Sequence, residues 1–127
     1  MPLVRIDALR MPPQRLEALG DAVQQALSEV IGFPPEDRFQ ILTSHDGHTS
    51  TLRHGTYLDI PRDDGIVYID ITLRAGRTDQ HKTALYARLC DLAQERAQVE
   101  PHNVFVVLHE NTPADWSFGY GQAQYLA

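Results

Sequence analysis

Residues 66–79, IVYIDITLRAGRTD, decide the fold, because they join the clearest strand pattern in the chain to the start of a helix. Every odd-numbered position from Val67 to Leu73 is aliphatic and the even-numbered positions are mixed. This period of two predicts a strand with one buried face. Thr78 can cap a helix, and Asp79 suits its first turn because the helix dipole stabilises a carboxylate there. The segment therefore predicts a strand over 66–73 and a short turn into a helix.

A helix and another strand follow this segment. The apolar residues of the helix recur at three- and four-residue steps, at Leu85, Leu89, Leu92 and Ala93. Such steps give an α-helix one buried face. Residues 104–108, VFVVL, lie between two prolines and are apolar at every position, which predicts a strand.

The N-terminal half has the same order of elements. The patterns predict a strand over 2–9, a helix from Pro13 toward Gly32, and a strand over 38–44. Matching residues lie 66 positions apart, as in Pro35 and Pro101, Phe39 and Phe105, and Leu42 and Leu108. We therefore expect one domain over 1–127 with two pseudo-repeats, at about 2–44 and 66–109.

Two strand–helix–strand units predict an α+β fold. Because such crossovers are right-handed, both helices should lie on one face of a four-stranded sheet. Two helices cover only that face, yet residues 104–108 are apolar on both sides of their strand. We expect other copies of the chain to cover the second face.

Composition narrows the classes of function. The net charge of −6 argues against a nucleic-acid partner, because phosphate binding needs clustered Lys and Arg. No apolar run approaches the roughly 18 residues of a membrane span, and no signal-peptide pattern opens the chain, so we expect a cytoplasmic protein. His45, His48 and His54 lack the spacing of a metal site, and Cys90 is expected to be a buried, inert thiol.

Pro2 is the first candidate for chemistry. Removal of Met1, which a small second residue permits, would leave Pro2 with a free secondary amine. An α-amino group titrates at about 7.7–8.0, close enough to neutrality for general acid–base catalysis. If Met1 were retained, Pro2 would be an amide nitrogen without basicity.

Several motifs resemble one known family. Residues 74–82, RAGRTDQHK, resemble the strand end and helix start of 4-oxalocrotonate tautomerase and its relatives. Pro2-Leu3, residues 37–40 (DRFQ) and residues 110–121, with the core ADWSFG, resemble malonate semialdehyde decarboxylase, a long member of this tautomerase superfamily. The resemblance spans essentially the whole chain.

The resemblance implies a homotrimer with active sites near the subunit boundaries. It implies that Pro2 is the catalytic acid or base and that Asp37 orients or activates water. Arg77 would bind the substrate carboxylate, which suits its planar fork of donors. Trp116 and Phe118 would wall the pocket and lower its dielectric.

One departure from the decarboxylase pattern guides the choice of reaction. The decarboxylase has two arginines flanking a proline, and Ala75 replaces the first of them. Arg74 lies one place earlier, and a shift of one residue on a strand turns the side chain to the opposite face. We therefore expect keto–enol tautomerisation of a small 2-oxoacid, with Pro2 moving the proton and no metal or organic cofactor.

Two alternatives stay open at this stage. The first is a decarboxylase or hydratase in which Asp37 directs water. The second is a non-catalytic binding protein on the same scaffold, which retention of Met1 would favour.

Overall fold

A computed structural model describes residues 1–126, so the last residue of the predicted domain, 127, lies outside the described residues. The main elements are β1 (Leu3–Leu9), α1 (Pro13–Ala26), β2 (Phe39–His45), β3 (Val67–Arg74), α2 (Asp79–Ala97) and β4 (Val104–Asn111). Their order and type confirm the predicted α+β fold. Within the described part of the chain, no helix combines the length and apolar character needed to cross a membrane.

The four strands form one mixed sheet in the order β2-β1-β3-β4. The outer strand β2 runs parallel to β1, and the outer strand β4 runs parallel to β3. The two inner strands, β1 and β3, are antiparallel, with Val4 opposite Ile71 and Ile6 opposite Ile69. Both helices pack on one face, where their apolar residues enclose the alternate side chains of β1 and β3. Full burial of an aliphatic side chain such as Ile69 contributes about 1.5–3 kcal/mol.

The helix ends show why these residues form these elements. The Thr78 hydroxyl accepts a hydrogen bond from the His81 backbone N–H at 3.1 Å, which confirms the predicted cap of α2. Helix α1 continues through a π-helical turn, Leu27–Ile31, that the sequence pattern did not predict. Gly32, at φ 91°, ends that turn in the left-handed region, where glycine has no steric penalty.

The second face of the sheet is open in a single chain. Five large apolar side chains on it are between 39% and 51% exposed: Leu3, Phe39, Ile41, Phe105 and Val107. On β4, Val104, Val106 and Leu108 pack against the core, while the intervening residues face outward. A single chain therefore buries one face of β4 and leaves the other uncovered.

Candidate active site

A cavity of about 440 Å³ lies at the amino-terminal end of β1. Its floor comes from Leu3, Phe39 and Thr72, on three adjacent strands of the open face. The strand register places these three residues side by side, because Leu3 pairs with Phe39 on one side and with Thr72 on the other. Met1 and Pro2 form one end of the cavity. The sheet topology thus brings the start of the chain to an apolar floor.

The segment after β4 provides the opposite wall. Thr112 and Asp115 form a capping box that turns the chain at a short 3-10 helix, Pro113–Asp115. Trp116 and Phe118 then line the cavity with their rings stacked, 5.6 Å between centroids and 16° between planes. The structure therefore brings together Pro2 and both predicted aromatic residues.

Asp37 lies beside the amino terminus. Its Oδ2 is 3.7 Å from the Met1 amine, and its side chain is 14% exposed. Its Oδ1 is buried and has no hydrogen-bond partner within residues 1–126. Gln24, buried in α1, donates from Nε2 to the backbone oxygens of Pro34 and Asp37 at 3.3 Å each. Helix α1 thus holds the turn that carries Asp37. The Asp37 carboxylate keeps one oxygen, Oδ1, available for another ligand.

The charged groups around the Met1 amine shift its pKa in opposite directions. Burial lowers the pKa of the Met1 amine, and the Asp37 carboxylate acts in the other direction. The positive charges of Arg77 and Arg74 lower the pKa further, so its net shift is below the ordinary value of 8.0. This end of the cavity therefore favours an uncharged amine, the form that can accept a proton.

Arg77 does not line the same cavity. Its guanidinium carbon lies 5.1 Å from the centre of the Phe33 ring, and its Nη1 donates to the Arg74 backbone oxygen at 3.3 Å. It lines a neighbouring cleft with Ile31, Gly76 and His81. Arg77 is thus close enough for its charge to act on the amine, but its side chain packs in the adjacent cleft.

Arg74 is the basic residue that the sequence interpretation missed. Strand alternation puts its side chain on the open face with that of Thr72, which lines the cavity. Its guanidinium carbon lies 5.0 Å from the centre of the Tyr125 ring, and Tyr125 in turn contacts Phe118 edge-on at 5.0 Å. Arg74 therefore lies on the same sheet face as the cavity floor.

Two of the three histidines considered for a metal site pair with single carboxylates. His45 Nε2 lies 2.7 Å from Asp7 Oδ1, and His54 Nε2 lies 3.1 Å from Asp64 Oδ1. Cys90 is half-buried, and burial raises the pKa of its thiol, which favours the unreactive protonated form.

This geometry agrees with comparisons to known proteins. A family model described as tautomerase enzyme matches residues 37–119, and a second model with the same description matches residues 2–59. The probable tautomerase YusQ of Bacillus subtilis (strain 168) is 32% identical over 111 residues, which cover 87% of each chain. The chain therefore belongs to the tautomerase family, and it is an enzyme of that family.

Solved structures indicate which members of the tautomerase superfamily this chain resembles. A malonate semialdehyde decarboxylase inhibited by 3-bromopropiolate is 38% identical, with a TM-score of 0.86 over 98% of this chain and 94% of that one. A symmetric trimer of fused 4-OT is 21% identical, with a TM-score of 0.75 over 98% of both chains, and shares the fold. The chain thus resembles malonate semialdehyde decarboxylase within the tautomerase superfamily.

Proposed function

We propose that this enzyme catalyses keto–enol tautomerisation of a small 2-oxoacid, with the amine of Pro2 as general acid and base after removal of Met1. The observation that carries the proposal is the position of Pro2 at one end of a cavity that Trp116 and Phe118 also line. A secondary amine there would be partly withdrawn from water, next to the carboxylate of Asp37.

The proposed reaction moves one proton. The uncharged Pro2 nitrogen accepts the proton of the enol hydroxyl, and the electron pair of the broken O–H bond forms the carbonyl. The electrons of the C=C bond then take the same proton from Pro2 at carbon 3, which restores the amine. Every proton transfer is assigned to Pro2, so the proposed reaction needs no cofactor.

The substrate carboxylate needs a positive partner. Arg77 and Arg74 supply positive charge beside the amino terminus, and both act on the amine there. We assign carboxylate binding to Arg74, on the open sheet face, together with Arg77, whose guanidinium would turn out of its own cleft to reach the ligand. The stacked rings of Trp116 and Phe118 exclude water from one side, which strengthens these electrostatic interactions.

Pro2→Ala tests this function. Both proteins are first checked by intact mass for loss of Met1, and enol–keto exchange of phenylpyruvate is then followed. We expect the variant to lose about 100-fold or more of kcat, which is the size of general acid–base contributions. Pro13→Ala, at the exposed start of α1, is the matched control. Full activity of Pro2→Ala, or a retained Met1 in an active enzyme, would refute the proposed role.

A decarboxylase or hydratase activity is the second candidate. Asp37 favours it, because its Oδ1 is buried without a partner within the described residues and could accept a hydrogen bond from water. The likeness to malonate semialdehyde decarboxylase points the same way. Asp37→Asn separates the two activities: it should spare phenylpyruvate exchange while abolishing CO2 release from malonate semialdehyde. Equal loss of both activities would make Asp37 part of a shared mechanism.

We also propose that three copies assemble through the open sheet face. The five exposed apolar side chains on that face support this assembly, and the fused 4-OT that shares the fold is a trimer. Light scattering should give three times the chain mass of 14.3 kDa. Ile41→Lys should dissociate the assembly, whereas Gln94→Lys, the same charge change at an exposed position of α2, should not. A monomeric wild-type protein would contradict the proposal.

A further inference from the structure

Asn111 is a polar residue of the cavity to which the proposed reaction gives no task. It is the last residue of β4, and it pairs with Arg74, the last residue of β3. Its backbone oxygen accepts a hydrogen bond from the Ala75 N–H at 2.8 Å, which anchors the residue to the turn before α2. Because paired residues of neighbouring strands point to the same face, the side chains of Asn111 and Arg74 are neighbours on the open face.

The orientation of the Asn111 amide follows from its partner. The indole nitrogen of Trp116 lies 2.7 Å from the amide oxygen of Asn111. An indole N–H can only donate, so the atom that faces it must be the acceptor Oδ1 and not the nitrogen. The amide nitrogen therefore points elsewhere, with two donor hydrogens that have no partner within residues 1–126.

This arrangement leaves the Asn111 amide in the lining of the cavity, next to Arg74 at the paired end of β3. The Asn111 nitrogen is accessible to solvent in the single chain, and a ligand that covered it without accepting a hydrogen bond would leave a buried amide donor unpartnered, which is costly. A carboxylate is acceptor-only and has oxygens to share between Arg74 and the amide. A hydroxyl or amine ligand would gain less here, because neither brings the negative charge that Arg74 attracts.

We propose that Asn111 binds the carboxylate of the substrate through Nδ2, beside Arg74, and that Trp116 sets the orientation of its amide. This inference rests on the proposed function for the class of substrate, and it does not depend on Pro2. Trp116 is thus a positioning residue as well as a wall of the cavity.

A binding experiment tests this role without catalysis. Trp116 is the only tryptophan of the chain, so quenching of its fluorescence reports binding at the cavity. The probes are phenylacetate, a carboxylate that does not tautomerise readily, and phenylacetamide, its neutral analogue. Asn111→Asp keeps an acceptor for Trp116 but loses the donors, and Asn111→Leu removes both without adding charge.

We expect both variants to bind phenylacetate about 10- to 100-fold more weakly, which corresponds to a lost hydrogen bond to a charged group. Binding of phenylacetamide should change less than about threefold. Unchanged phenylacetate affinity in folded Asn111→Leu, or equal losses for both probes, would overturn the role of Asn111. Failure of wild type to bind phenylacetate would overturn it too, whereas a fully active Pro2→Ala would refute only the proposed catalysis.

Discussion

The two turns that lead into the helices each contain a residue with positive φ, but their chemistry differs. Arg10 after β1 and Gly76 after β3 lie 66 residues apart, and both have positive φ, at 47° and 126°. The next residue is Met11 in the first turn, buried at 6% exposure, and Arg77 in the second, which remains half-buried and charged. The first turn thus contributes to the core, and the second contributes charge to the site.

The neighbours of each turn explain this difference. Since β1 and β3 are antiparallel, the end of β3 lies beside the start of the chain, whereas the end of β1 lies beside residues that precede β3. The first turn therefore meets Asp64, which Arg10 contacts at 2.9 Å. The second turn meets a free amine, on which the charge of Arg77 acts. Two turns at matching positions thus give one candidate active site, because only the second lies at the end of the sheet where Pro2 lines a cavity.

The largest expected difference between the two turns is in catalysis, and it is tested by removing Arg77 from one turn and Arg10 from the other. Arg77→Ala should lower kcat/KM for phenylpyruvate by about 10- to 100-fold, because a charge-assisted hydrogen bond to the carboxylate is lost. Arg10→Ala, at an exposed ion pair, should change it less than about twofold. Steady-state kinetics measure both, and thermal unfolding checks that loss of the Phe33 contact has not unfolded Arg77→Ala. Equal effects of the two variants would remove the functional distinction between the turns.

A smaller effect is expected on the free energy of unfolding, from the helix cap that only the second turn has. Thr78 and Pro12 occupy matching positions, and only the threonine side chain accepts a capping hydrogen bond. Thr78→Ala should therefore reduce the free energy of unfolding by about 1 kcal/mol. Urea unfolding measures this loss, and Thr51→Ala, at an exposed loop position, should stay near wild type. A loss below the error of the measurement would show that the cap does not stabilise α2.

The smallest expected effect is a shift of the pH profile. Tautomerisation by an amine base requires the uncharged form, so kcat/KM should rise with pH through the amine pKa. Asp37 raises the pKa of the Met1 amine and Arg77 lowers it, and we expect both charges to act in the same directions on the adjacent Pro2 amine once Met1 is removed. The rising limb should therefore move to lower pH in Asp37→Asn and to higher pH in Arg77→Ala. Profiles from about pH 5 to pH 10 span the ordinary amine pKa, and shifts of opposite sign to these would contradict the proposed base.

Local patterns predicted most of the fold. The alternation over 66–73, the spacing of leucines in α2 and the Thr78 cap each depend on residues a few positions apart, and the structure contains all three within one or two residues of the expected bounds. The π-helical turn at Leu27–Ile31 was missed, because five residues are too few to show a periodicity distinct from that of the α-helix before them. For the site, Pro2, Trp116 and Phe118 line one cavity, and Asp37 lies next to its amine end.

The tasks of Arg74 and Asn111 could not be predicted in the same way. Strand alternation places Arg74 opposite Ala75, but it does not reveal which face carries the cavity. That face is determined by where the chain after β4 folds back, so that Trp116 reaches Asn111. A contact between an indole and an amide at this site also depends on the capping box of Thr112 and Asp115, which redirects the chain.

The sequence by itself determined the strands, the helices and the residues able to do acid–base chemistry, because periodicity, capping and side-chain type are local properties. Only the tertiary structure decided that the Met1 amine lies within reach of the charges of Arg74 and Arg77, that Asn111 lines the cavity and accepts a hydrogen bond from Trp116, and that one sheet face stays open. Those features arise from antiparallel pairing of β1 with β3 and from the path of residues 112–118. Both join positions tens of residues apart, where packing of the whole chain selects the arrangement.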